Sequence, residues 1–245
     1  MGRKYPAPSR HLLRKPGLEM GYQKRSSSQS IAVPDYIPVF PLPNVILFPE
    51  IEIPLYIFEP RYKKMLSDCF GKTKSQFSIN HKFMGISLFK KGWEEKKEPV
   101  PSYDIIGVGY IRAVFENPDG TSNILIKGIG RAKIVEYVQQ EPYRIAKVKS
   151  IPDIVDDKKH LTELTIELKK LLLMKLRFAS ETPQTRFTLP KEFQNPITLS
   201  HLAAFFSTAN PYLKQDLLET TNCVCRMKHL IDIFNEEIFP HSRQN

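Results

Sequence analysis

Apolar and polar positions change their rhythm once along this chain. Over residues 35–152 they mostly alternate, the pattern of half-buried strands; beyond Pro152 they recur every three or four residues, the pattern of amphipathic helices. DIIGVGYIRAVFE and SNILIKGIG flank Asn117-Pro118-Asp119-Gly120, whose proline and glycine supply a hairpin turn. SINHKFMGISLF, RAKIVEYVQQ and YRIAKVKS predict further strands; in the last, Ala146 and Val148 alternate with Lys147 and Lys149. In the second half, Leu161, Leu164, Leu168 and Leu171 predict one helix. Leu199, Leu202, Ala203 and Phe206 predict another, and Val224, Met227, Ile231 and Phe234 a third. Asn210-Pro211 reads as an N-cap with proline at the first helical position, opening a short helix through about Glu219. GWEEKKEPVPS (92–102) and SETPQTRFTLPKEFQNP (180–196) read as loops. Strands followed by helices predict an α+β fold of two subdomains with a boundary near 150–158.

The run PVFPLPNVILFPEIEIPLYIFEPRY, residues 38–62, is the most specific stretch. Pro38, Pro41, Pro43, Pro49 and Pro54 punctuate apolar and aromatic residues, and Pro60 precedes a helix over about 60–70. Proline lacks a backbone donor and fixes φ, so this density excludes a helix or a long central strand. Short extended pieces joined by rigid corners remain, too apolar for a solvated linker. The run resembles the opening of the N-terminal substrate-binding domain of Lon proteases, the LON domain, in "PLPNVILFP" and "IPLYIFEPRY". GYIRAVFENPDGTSNILIKGIGRAKIVEY resembles that family's central hairpin, and FFSTANPYLKQDLLETTNCVCRMKHLIDIF its helical ending. The resemblance covers about residues 36–238. It implies a six-stranded, barrel-like (PUA-like) β subdomain over 35–152 followed by a helical-bundle subdomain over 153–245. Residues 1–34, polar, basic and weakly periodic with SSSQS at 26–30, read as a disordered arm.

Composition sharpens this in two places. Of the net charge of +10, the first thirty residues carry +6, through Arg3, Lys4, Arg10, Arg14, Lys15, Lys24 and Arg25 against Glu19. The basicity is thus mainly a tail property. Cys69, Cys223 and Cys225 make an odd count without a disulfide framework, as expected of a reducing compartment. Apolar runs stay well short of the roughly 18 residues a membrane span needs. Pro6, Pro8 and Pro16 interrupt the amphipathic helix that a transit peptide requires, so the expected location is the cytoplasm.

The motifs of chemistry are incomplete. Gly71-Lys72-Thr73 would need a glycine at 66 for a P-loop, where Leu66 stands, and it follows a helix instead of a strand. Gly107-Val-Gly109 and Gly128-Ile-Gly130 lack the rest of a dinucleotide fingerprint; strand glycines of this kind mark bulges or close backbone approach. Cys223-Val-Cys225 on a helix points its thiols to different faces, and the six histidines are scattered singly, with His201 and His229 read as surface or boundary residues. Glu59 and Arg61 flank Pro60 and read as an ion pair at the strand-to-helix corner, covered by Tyr62. No catalytic residue, cofactor or metal is expected.

The family resemblance implies a non-enzymatic module that recognises unfolded or extended polypeptide segments, or a protein partner. Neither the ATPase nor the Ser-Lys protease motifs of a whole Lon enzyme occur before the chain ends at Asn245, so neither ATP hydrolysis nor proteolysis is expected. Of the apolar set Phe48, Tyr56, Phe58 and Phe83, a groove would take some and the core the rest. Phe48, Tyr56 and Phe58 are the expected peptide-binding residues, because proline corners hold their side chains with little freedom left to lose. The alternative is a PUA-like RNA- or nucleic-acid-binding protein using the basic N-terminal arm for weak phosphate contact.

Overall fold

The computed structural model describes residues 32–71, 82–96, 99–180 and 187–240. Most of the basic arm, Lys72 and Thr73, the start of SINHKFMGISLF, and His11, His81 and His241 lie outside them. Six strands come first, β1 (Tyr36–Leu42), β2 (Glu52–Ile57), β3 (Phe83–Leu88), β4 (Ile105–Glu116), β5 (Ser122–Gln139) and β6 (Arg144–Ser150). Helix α1 (Pro60–Cys69) interrupts them, and α2 (Lys158–Phe178), α3 (Pro196–Phe206), α4 (Pro211–Glu219) and α5 (Cys223–Ile238) follow.

The strands form one sheet in the order β2-β5-β4-β3-β1-β6, and an added β5–β6 pairing closes five of them into a ring with β2 attached alongside β5. Ring-like bonding, not a full six-stranded barrel, is the outcome. β1 shows how prolines fit into a sheet. Its pairing with β6 covers Tyr36–Val39 and its parallel pairing with β3 covers Val39–Leu42. The strand changes partner at Val39, so Pro38 and Pro41 each sit where only one flank is paired, and a missing N–H is tolerated there. SNILIKGIG and RAKIVEYVQQ, expected as two strands, are one continuous β5. Its first part pairs with β2 and its last with β6, and β4 runs beside it with register shifts at Val108/Gly109 and Ile111/Ala113.

The strand glycines act through close approach. Ile106 and Val108 point into the ring, where they pack with Ile37, Val39, Phe83, Ala132, Ile134, Ala146 and Val148. Gly107 faces the other way, and a Cβ there would lie 2.0 Å from the carbonyl oxygen of Leu47; at Gly128 it would lie 2.1 Å from that of Phe48. The residues after the prolines therefore cross directly over bare sheet backbone. Glu50 N–H donates to the Gly128 carbonyl (2.9 Å) and Gly128 N–H to that of Ile51 (2.8 Å), stitching the crossing in place. Its Leu47 and Phe48 enter the larger core, shared with Leu168, Leu171, Leu199, Leu230 and Phe234 of the helices.

Helix ends follow local chemistry. Asn210 accepts from the N–H groups of Tyr212 and Leu213 with Pro211 at the first position, as the sequence predicts; Asn195 and Asn222 cap α3 and α5 in the same manner. Between sheet and helices, Ile154 bridges to the α4–α5 turn, accepting from Cys223 N–H at 2.9 Å and donating to Thr221 at 2.9 Å.

Candidate functional site

β2 alternates strictly: Ile53, Leu55 and Ile57 are buried, while Glu52, Pro54 and Tyr56 face outward. Phe58 continues the outward series. Tyr56 is 49% exposed and Phe58 42%, and their rings stack with centroids 5.8 Å apart and planes 25° from parallel. Side chains two apart on an extended chain share a face, which is why the two meet. Across the sheet, Tyr56 lies opposite Asn123 of β5, and Asn123 opposite the exposed Phe115 of β4. The neighbouring row is Pro54, Leu125 and Ala113. Two ion pairs border this apolar face, Arg112–Glu52 (2.5 Å) and Lys127–Glu50 (2.8 Å). Among the described residues β2 pairs only with β5, and its other edge makes no strand pairing.

Phe48 does not join this face. It is 1% exposed, with its ring stacked on His201 of α3 at 6.3 Å and its backbone against Gly128. Packed between sheet and helix, it has no surface to offer a partner, and the expectation for this residue is corrected to core. Phe83 is likewise core, edge-on to Tyr110 at 5.4 Å. The strand-to-helix corner is as the sequence suggests. Arg61 Nε lies 3.0 Å from Glu59 Oε2 and its guanidinium stands 4.9 Å over the ring of the buried Tyr62. Beside this corner is a recess of about 590 Å³ lined by Pro41, Tyr62, Phe89 and Tyr143 with Arg61 and Arg144. Arg144 is committed within it, donating to the Val100 carbonyl at 2.8 Å.

Sequence reasoning missed a buried polar cluster. Arg131 of β5, Arg226 of α5 and His201 of α3 are 1%, 0% and 1% exposed around Asp153, which lies on the connection into the helices. Arg226 donates to Asp153 Oδ1 at 2.6 Å and Arg131 donates to the same oxygen. Both guanidinium groups also donate to the Thr220 carbonyl, Arg131 also to that of Leu218, and Arg226 Nε donates to Ser200 Oγ at 3.0 Å. Burial works to raise the Asp153 carboxyl, but the adjacent His201 and the two guanidinium groups outweigh it and hold it well below the usual carboxylate range. Burial, reinforced by the arginines, pushes His201 down to about 4, so its ring is neutral at neutral pH. His201 is therefore neither surface nor boundary. A phase signal existed: Arg226 falls on the buried side of α5 between Cys223 and Leu230, where a cation is costly unless paired. Enclosed as it is, the cluster fastens β5 to three helices and offers no nucleophile to solvent.

Cys223 is buried and Cys225 exposed, so the two thiols do face apart. Among the described residues no three His, Cys, Asp or Glu side chains are grouped to hold a metal ion, and no helix is long and apolar enough to cross a membrane. Leu66, where a P-loop would need glycine, is buried on α1.

A ring of strands opened by a proline-rich crossing, with a helical half packed on it, has counterparts among known proteins. Residues 36–236 match the family model described as the ATP-dependent protease La (LON) substrate-binding domain. The chain belongs to this LON family. It is 24% identical over 218 residues to the Lon protease of Dictyoglomus thermophilum, covering 88% of this chain and 26% of that protein. To the Lon protease of Cytophaga hutchinsonii it is 29% identical over 212 residues, covering 84% and 24%. The chain thus spans about a quarter of the length of the curated relatives it matches. The N-terminal domain of Mycobacterium avium complex Lon protease superposes with a TM-score of 0.60 at 19% identity, covering 82% of this chain and 98% of that domain. A Lon N-terminal domain protein from Xanthomonas campestris gives 0.56 at 20%, covering 80% and 97%. These structures establish the LON fold for this chain.

Proposed function

We propose that this LON-family chain binds extended or unfolded polypeptide without breaking bonds itself, on the outer face of β2. The observation that carries the reading is the exposed stack of Tyr56 and Phe58 on a strand whose free edge can add a peptide strand. Backbone pairing along that edge would supply sequence-tolerant affinity. The aromatic pair would supply anchors, with Phe115 extending the apolar face. Family membership supports a polypeptide as the ligand, and the incomplete nucleotide and metal motifs support binding without catalysis. A cytoplasmic setting fits three cysteines that are all unpaired.

Fluorescence anisotropy with a labelled, permanently unfolded protein tests the proposal. Tyr56→Ala and Phe58→Ala should each weaken binding about tenfold, equivalent to about 1.4 kcal/mol, and together abolish it. Binding that survives the double substitution rejects this site. Tighter capture of a single-stranded RNA than of the unfolded protein would instead favour the nucleic-acid reading.

A further inference from the structure

We propose that the outward face of α2 is a second interaction surface, shaped for an acidic amphipathic helix of a partner protein. The inward face of α2 is spent: Leu161, Leu168, Leu171 and Leu172 are buried, and the helix packs on α3 and α5. The outward face carries Ile166 at 67% and Phe178 at 73% exposure, higher than any other large apolar side chain among the described residues. Ile166, Leu173 and Arg177 are seven and four residues apart, which places them in one stripe along the helix. With Lys169, Lys170 and Met174 they line a shallow depression of about 480 Å³. Its lining thus joins three apolar side chains to three cations.

Charge decides what fits there. Lys169, Lys170 and Arg177 form no ion pair among the described residues, whereas Lys175, one face away, is satisfied by Glu237. Compensation of the helix dipole by terminal cations does not account for Lys169 and Lys170, which lie before the last turn. An apolar strip edged with unpaired cations is complementary to a helix with one apolar stripe edged by carboxylates. A second copy seated depression to depression would bring Lys169, Lys170 and Arg177 against one another, since no carboxylate lines it. A flat anionic membrane would leave the depression unfilled. The proposal is independent of the Tyr56–Phe58 reading, since it uses a different element and a different chemistry.

The probe is a synthetic helical peptide of about 20 residues, leucine along one stripe and glutamate beside it, against the 245-residue chain by isothermal titration. The peptide should bind. Reversal of charge in Lys169→Glu/Lys170→Glu/Arg177→Glu should weaken it at least tenfold, and so should Ile166→Ser/Leu173→Ser, with circular dichroism unchanged in both variants. A lysine-edged version of the peptide should not bind, and Tyr56→Ala/Phe58→Ala should bind like the parent. Equal affinity for the charge-reversed variant, or no binding at all, overturns the proposal. So does sedimentation with phosphatidylserine vesicles that the acidic peptide fails to compete, or a dimer in the ultracentrifuge that Ile166→Ser/Leu173→Ser dissociates.

Discussion

Arg131 of β5 and Arg226 of α5 donate to the same carboxylate oxygen, Asp153 Oδ1. One carboxylate thereby serves two buried cations that arrive from the strand half and the helical half. Removing it leaves both guanidinium groups desolvated without a counter-charge, a loss of about 3–5 kcal/mol in comparable buried pairs. Asp153→Ala should lower unfolding free energy by that amount in urea titrations. Asp156→Ala, removing an exposed carboxylate that accepts from Asn222, should cost under about 1 kcal/mol. Equal small effects would deny the cluster its fastening role.

The same cluster sets an acid limit. An unfolded histidine titrates near 6.5, while His201 in the fold titrates at about 4, because burial disfavours its cation. Below about pH 6.5 the unfolded chain takes up a proton that the folded protein refuses, so stability present above that value declines as pH falls toward 4. Asp153 adds to the loss at lower pH, since its carboxyl is held below the unfolded value. Urea midpoints should therefore fall between about pH 7.5 and about pH 4.5, and His201→Gln should flatten that part of the curve. Parallel curves for parent and variant would exclude His201 as the source.

Gly107→Ala and Gly128→Ala should both destabilise the fold, because the new methyl would meet backbone carbonyl oxygens that no side-chain rotation can move aside. The expected cost is about 1–3 kcal/mol or more each. Gly130→Ala serves as the control, its Cβ meeting only a Val33 methyl at 3.5 Å. Thermal melts of the three variants decide it, and unchanged melting of Gly107→Ala would contradict the crossing geometry.

Phe48, Tyr56 and Phe58 should separate cleanly on substitution. Phe48→Ala empties a buried position and should lose about 3–5 kcal/mol of stability. Tyr56→Ala and Phe58→Ala should change stability by about 0.5 kcal/mol or less while weakening polypeptide binding. Strong destabilisation by both exposed substitutions would return the pair to the core and remove the proposed site.

Local rules make much of this protein legible in its amino-acid order alone. The period change after Pro152 separates strands from helices because the two have different side-chain repeats, and Asn210-Pro211 opens a helix by satisfying its first N–H groups from the adjacent side chain. The prolines at 38, 41, 43, 49 and 54 forbid a helix before Pro60 through chemistry each residue carries with it. Tertiary structure alone decided which aromatics of that run stay outside. Phe48 and Phe58 look alike in sequence, but the crossing over Gly128 drives one under α3, and the alternation of β2 turns the other to solvent. It also decided that Gly128-Ile-Gly130 lies within one strand instead of ending it, because β4 runs alongside throughout that stretch. The Arg131–Asp153–Arg226–His201 cluster belongs to the same class. Its members are 22, 48 and 25 residues apart along the chain, taken in sequence order, and a buried cation is tolerable only once the fold has brought its counter-charge within reach.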